Sequence, residues 1–407
     1  MLFLFAKKEH LSILLIAFIL NVFSNDCLSQ SKKKYIKNVR LFDGDSVKRH
    51  IDIAFQNGRV VKIGKDLTEK EGDENVIDGK DKTIIPPLVN AHVHLWSPAS
   101  LKKALGHGIY AFLDMHTSKH YAQKMRKYND SLKYADFYSS NGGATVPGGH
   151  GTQFGIKVPT INDSVSASQF VRDRVSEGAD YIKILREPMM PTINFKQTKE
   201  VIETAHLNDK LAIAHVSRVD DAIELAEQKV NGFAHVWYET SATKKQLKTI
   251  KESAPFIVPT LSVIKKMKEM KKRKKGKQKK SKKLKNKKDG MSFEKVQKEV
   301  EQLHERGLTI LAGTDAPNFQ LNYTDQLYKE IKLLTECGLS SKEALQAATV
   351  NIYDTFDLNG LKRIKAGNPA SFILIDGNPL YDLNKLNEID KLFKEGVELN
   401  QEKLIGK

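Results

Sequence analysis

The 407-residue chain is poor in cysteine, in long apolar runs and in acidic residues relative to basic ones. Its two cysteines are Cys27 and Cys337, and the first falls in a leader expected to be removed, so no internal disulfide can form. Cys337 sits in the helical stretch DQLYKEIKLLTECG and reads as a small buried apolar residue, not a nucleophile. The apolar run at residues 11–23 is too short to span a bilayer comfortably. With Lys7 and Lys8 ahead of it, it reads as the core of a signal peptide, residues 1–29. Cys27 and Ser29 would be the small residues at the cleavage site, and the mature protein would be exported, periplasmic or extracellular. A lipoprotein anchor on Cys27 fits less well because Asp26 precedes it.

Asp and Glu number 49 against 66 Lys and Arg, a net charge of +17. Residues 265–290 hold sixteen basic residues and two acids, so the remainder carries only +3. A charge concentrated in this way excludes a basic nucleic-acid-binding body. The block also lacks the aromatics on which single-stranded bases stack, so specific nucleic-acid binding is not expected. It reads as a solvated, self-repelling insertion. The alternative is a contact with anionic envelope polymers or an anionic membrane surface. Hydrophobic residues at 40% exclude disorder throughout.

Short strands, YIKNVRLF, IDIAFQ, RVVKIG and TIIPPLV, are separated by the turns DGDS and QNGR. After His94 the pattern becomes strand, loop and amphipathic helix, repeated. The strands are IIPPLVNAHVH, HGIYAFLDM, SNGGATV, DYIKIL, LAIAHV, NGFAHV, PFIVPTLSV and LTILAGTD. Gly178 and Gly232 are placed at helix C-terminal ends, and Ser340 with Glu343 forms a capping box. Eight such units predict an α/β fold, a (β/α)8 TIM barrel over residues 88–363. SFILID is most simply placed in the N-terminal sheet. Residues 30–87 and 364–407 would then form a small β-sandwich domain from both ends of the chain.

His92 and His94, two apart in NAHVH, face the same way if the segment is a strand. Alternation in DYIKIL turns Lys183 into the barrel, where a lysine is costly unless paired or chemically altered. His215 ends LAIAHV, His235 ends NGFAHV and Asp315 ends LTILAGTD. Each has a bland alternative as a core histidine or a turn aspartate. Together they put six metal-compatible groups on five strands, at the end of the barrel where this fold keeps its active sites. His150, in the glycine-rich loop PGGHGTQF, is a candidate substrate contact; His116 and His120 read as loop histidines.

These stretches, with VPGGHGTQFG and GLSSKEALQAATVNIYDTFDL, resemble the amidohydrolase superfamily of metal-dependent hydrolases, in its imidazolonepropionase-like and Xaa-Pro dipeptidase-like branch. The resemblance implies two metal ions, usually zinc (Zn2+). His92, His94 and Asp315 would hold one, His215 and His235 the other, and carboxylated Lys183 would bridge them. It further implies hydrolysis of a C–N bond in a small amide, peptide-like or cyclic amide substrate by metal-activated hydroxide, with Asp315 as catalytic proton shuttle. The usual Gly and Asp before the HxH pair are Pro87 and Asn90 here, and the usual Ala-Asp near the C-terminal strand is Ala370 and Ser371. A tyrosine frequent in dipeptidase-type members is Ser217, followed by Arg218, a candidate clamp for a substrate carboxylate. Two other readings stay open: a single-metal imidazolonepropionase-like ring hydrolase, and a non-catalytic polyanion-binding protein. Oligomeric state is not legible.

Overall fold

In the computed structural model the structure describes residues 32–67, 75–155, 157–253, 256–278, 290–358 and 360–406. The expected signal peptide and the second half of the lysine-rich block lie outside these residues.

Both ends of the chain build one eight-stranded sheet. Its N-terminal strands are Lys34–Phe42, Val47–Gln56, Arg59–Gly64, Asn75–Asp78 and Lys82–Ile85; its C-terminal ones are Phe372–Asp376, Ile389–Lys394 and Val397–Glu398. As expected for SFILID, Phe372–Asp376 pairs antiparallel with Lys82–Ile85. The QNGR turn places Asn57 and Gly58 at φ 50° and 77°, the left-handed pair that matches the twist of a tight hairpin. The sheet folds over on itself. Phe55 lies three strands from Phe372, roughly 14 Å across a flat sheet, yet their ring centroids are 5.4 Å apart. With Phe393 they centre an apolar core separate from that of the barrel.

Eight parallel strands follow: Leu88–Val93, Ile109–Asp114, Asp136–Ser139, Ile182–Leu185, Ala212–His215, Gly232–Ala234, Phe256–Val258 and Thr309–Ile310. They form hydrogen-bonded runs of three and five strands. Parallel bridges Ala144–Ile184 and Val93–Ala316 join the runs at both junctions and close the barrel. The third strand departs from the sequence reading. It is Asp136–Ser139, with SNGGATV continuing beyond it as a segment that meets the next strand only around Ala144, whose N–H donates to the Lys183 carbonyl at 2.7 Å. Paired glycines lack the side chains that stabilise a pleated strand.

Gly232 also differs, opening a strand where a helix end was expected. A Cβ there would lie 2.3 Å from the Phe256 ring, so the residue is small because the neighbouring strand packs over it. The capping box of Ser340 and Glu343 is present. Cys337 is buried, and burial pushes its thiol pKa up. The lysine-rich block begins within a helix, Leu261–Gln278, and not as a free-standing loop. The buried Glu330 carboxylate accepts the Leu261 and Ser262 N–H groups at 2.8 and 2.7 Å, pinning the helix start to the barrel. Among the described residues no helix is long and apolar enough to cross a membrane.

The Tyr110 hydroxyl of the barrel donates to the Phe393 carbonyl at 2.9 Å, and Lys394 pairs with buried Asp136 at 3.0 Å, so the two cores abut through satisfied polar contacts. Phe55→Ala removes the ring on which both C-terminal aromatics rest. It should cost about 3–5 kcal/mol, read as a lower unfolding midpoint by circular dichroism.

Candidate metal centre and active site

The barrel brings the histidines, Lys183 and Asp315 to one cavity of about 440 Å³ at the C-terminal ends of its strands. His92 lies within Leu88–Val93 and His94 just beyond it; Lys183 and His215 stand on paired neighbouring strands. His235 and Asp315 each follow a strand with left-handed backbone, φ 71° and 59°, a strained conformation for residues with side chains. The Nε2 atoms of His92 and His94 lie 3.2 and 3.0 Å from the same oxygen, Asp315 Oδ1. Ring centroids of His92 and His235 are 4.8 Å apart, and those of His215 and His235 are 4.6 Å apart.

Hydrogen bonding settles several tautomers. His94 Nδ1 donates to the His116 carbonyl at 3.3 Å, so a neutral His94 keeps its hydrogen there; burial lowers the pKa of this ring, but Asp315 facing Nε2 outweighs it and raises the pKa. Thr260 donates its hydroxyl hydrogen to the Pro259 carbonyl at 2.8 Å, so its oxygen accepts from His235 Nδ1 at 2.7 Å. His235 Nε2 is thereby left as a lone-pair donor.

Charges in the cavity are strongly conditioned. Burial, reinforced by Lys183, pushes His92 down to about 3. Burial also lowers Lys183 to about 7, so its amine is substantially neutral near neutral pH. Asp315 is held well below the usual carboxylate range: burial opposes this, but His92, His94 and His235 prevail. His215 and His235 are lowered by burial.

The donor set fits divalent cations. Lys183 Nζ and His92 Nδ1 are buried without hydrogen-bond partners among the described residues, a costly arrangement unless another group engages them. Two imidazole nitrogens crowd one carboxylate oxygen, an arrangement that a cation shared by all three would satisfy. His92, His235 and Asp315 present ligand atoms within 4.8 Å of one another.

His150 also lines the cavity, its ring 4.6 Å from that of His215. Arg218 does not join them. It stands just before the helix Val219–Glu227 and faces Glu239 and Asp220 at 3.7 and 3.8 Å, so the acids beside it draw it away from the cavity. His116 is a loop histidine, as expected, but it is buried in the cavity. Its Nδ1 accepts the Gly143 N–H at 2.9 Å and its Nε2 donates to the Gly151 carbonyl at 3.3 Å, fastening the loop that carries His150. Glu187, unnoticed in the sequence, also lines the cavity. It shares the parity of Lys183 and Leu185, and continuing the strand alternation by two residues would have found it. Phe154, Leu185, Val263, Ile264 and Met267 make the apolar wall, the last three from the start of the lysine-rich helix.

Residues 83–399 match the amidohydrolase family, and the chain belongs to that family. Among solved structures it is similar to a Xaa-Pro dipeptidase with methionine bound in the active site (TM-score 0.72, 21% identity, 90% of this chain and 100% of that one). It is likewise similar to A. niger ochratoxinase (TM-score 0.72, 17% identity, 90% and 95%). In sequence, 75 residues are 43% identical to a 5-methylthioadenosine/S-adenosylhomocysteine deaminase of Thermococcus sibiricus, covering 18% of this chain and 17% of the deaminase. The curated deaminases that the chain matches are covered over only 11–17% of their own length.

The lowered Lys183 pKa sets a stability signature in metal-free protein. Above about pH 10.5 the amine is neutral in both states and adds no ionisation penalty; as pH falls toward 7 the unfolded chain binds a proton that the folded one resists, and stability is lost. Lys183→Met should therefore raise the melting temperature at pH 6 and have little such effect at pH 10, as followed by differential scanning fluorimetry.

Proposed function

We propose that the protein is an exported, metal-dependent hydrolase that cleaves a carbon–nitrogen bond in an N-acyl, peptide-like or cyclic amide. The observation that carries this reading is the convergence of His92, His94, Lys183, His215, His235 and Asp315, from five strands, on one end of the barrel. His92, His94 and Asp315 would hold one zinc ion and His215 and His235 a second. Lys183 would bridge them after its neutral amine adds carbon dioxide, forming an N–C bond and releasing a proton. Bound there, the cations would supply Lewis acidity, favouring ionisation of a water and polarising a carbonyl.

The side chains divide the remaining work. Ionised Asp315 accepts a proton from the attacking water and returns it to the departing nitrogen, since an amide anion is a poor leaving group. The Gln153 side-chain oxygen accepts the Gly151 N–H at 2.7 Å, so its amide nitrogen donates to His150 Nδ1 at 3.3 Å. His150 then offers Nε2–H to a substrate oxygen. The apolar wall takes the substrate's hydrophobic part. With Arg218 turned outward, the expected carboxylate clamp is missing among the described residues of the cavity, which favours amides without a free carboxylate, cyclic amides among them, over free dipeptides. Export rests on the leader sequence. The exposed cations of the lysine-rich helix, Lys265, Lys271, Lys272 and Arg273, support a contact with anionic surfaces beside the cavity.

Elemental mass spectrometry of protein purified with bicarbonate and without chelator should find about two zinc ions per chain. About one would favour the single-metal ring hydrolase, and none after zinc is restored would overturn the catalytic reading. On a panel of N-acyl amino acids, lactams and dipeptides, Asp315→Asn should lower kcat by a factor of about 10²–10⁴. Deleting residues 271–289, which spares Met267 and the cavity wall, should leave hydrolysis standing; a protein that hydrolyses nothing on the panel and loses its binding of a polyanion with the lysines would favour the polyanion-binding reading.

A further inference from the structure

The ring of His235 is held by Thr260, and Glu187 occupies the corresponding place beside His215. Parallel pairing sets Leu185 opposite His215, and two residues further along the same strand direction the chain reaches Glu187. A compact turn fixes that residue. The Glu187 N–H donates to Thr192 Oγ1 at 3.2 Å, and the Met190 N–H donates to the Glu187 carbonyl at 3.1 Å. The carboxylate is divided between two partners: Oε1 accepts the Met189 N–H at 3.2 Å, and Oε2 lies 3.4 Å from His215 Nε2. Glu187 is 8% exposed.

A carboxylate only accepts, so this contact requires the hydrogen of a neutral His215 on Nε2 and the lone pair on Nδ1. His235 is held in the opposite tautomer, with hydrogen on Nδ1 and lone pair on Nε2. The two rings stand 4.6 Å apart, 77° between their planes. Opposite tautomers on rings crossed in this way allow two different nitrogens to serve one cation.

We infer that Glu187 is a positioning residue which fixes His215 in the Nε2–H tautomer and so presents Nδ1 as the metal-binding atom. The inference rests on the two-metal reading of the site. Acceptors behind metal-bound imidazoles orient the ring and raise its basicity, and losing one typically costs 10–100-fold in metal affinity.

Full-length protein carrying Glu187→Leu or Glu187→Gln tests this, with zinc loss to a competing chelator and the ¹⁵N spectrum of histidine-labelled, metal-free protein as readouts. His215 signals are identified by their absence in His215→Gln. We expect Glu187→Leu to weaken the second zinc at least about tenfold while the first is retained. Glu187→Gln, whose amide oxygen still accepts, should stay near wild type. The metal-free wild type should show hydrogen on His215 Nε2, and Glu187→Leu should lose that preference. Unchanged zinc affinity in Glu187→Leu, or hydrogen on Nδ1 in the wild type, would overturn the inference. An equal loss of zinc in both variants would make Glu187 a direct ligand and overturn the positioning role. Wild type that binds no zinc would defeat the two-metal reading and the role toward metal with it, whereas the tautomer readout would still judge the Glu187 contact separately.

Discussion

The closure of the barrel between its first and last strands is the constraint on which the site depends. Thr314 and Asp315 both donate their N–H groups to the His92 carbonyl, at 3.2 and 2.8 Å, and His94 N–H donates to the Ala316 carbonyl at 2.7 Å. The backbone itself therefore brings Asp315 against the two histidines. Asn90, standing where the family usually has an aspartate, stitches the same seam. Its amide nitrogen donates to Thr314 Oγ1 at 2.9 Å, and its oxygen accepts the Thr314 N–H at 3.1 Å. The seam tolerates no bulk, because a Cβ on Gly313 would fall 2.8 Å from His92. The departure at residue 90 keeps a bidentate polar group and so preserves the geometry of the neighbouring ligands.

A second dependence runs from the cavity to the lysine-rich helix. Thr260 holds His235, and the next two N–H groups of the chain are captured by Glu330. Three residues of the following turns face the cavity, while Lys265, Lys271 and Lys272 of the same helix are exposed. The helix start is thus fixed at two buried points, whereas its charged end carries no comparable buried anchor among the described side chains. This explains how a strongly basic block can grow from the wall of an active site without disturbing it: the positions that matter to the cavity lie in the first turns of the helix, ahead of the unbroken run of cations that starts at Lys271.

Much of this was legible in the sequence because strand alternation and metal-ligand chemistry are local signals. The pairs in NAHVH and DYIKIL specify their faces by parity, and the terminal histidines of IAHV and FAHV announce themselves by interrupting apolar runs. Where the reading failed, non-local contacts decided. Asp136–Ser139 becomes a strand because it pairs along its whole length with Ile109–Asp114 and its buried acid is paired with Lys394 from the far end of the chain. Gly232 answers to Phe256, and His116 to Gly143 and Gly151, partners that sequence spacing does not reveal. Arg218 was assigned inward by proximity to His215, but two acids compete for it.

Electrostatics also bear on the choice between one and two cations. A single divalent ion beside Asp315 would leave the Lys183 amine to be accommodated as a lone buried base, either neutral and unpaired or charged near the cation, and both states are costly. On the proposed reading, carboxylation would convert that base into an anion, which a second cation would offset. With Glu187 as a further carboxylate at the His215 side, negative charge is distributed to both ends of the cluster instead of residing only at Asp315. A buried cation pair repels itself, and anions placed between and beside the two charges are what permit such a pair to persist at low dielectric. On the two-metal reading Lys183 and Glu187 would act together, a carboxylated Lys183 lying between the cations and Glu187 beside His215, each offsetting part of their charge.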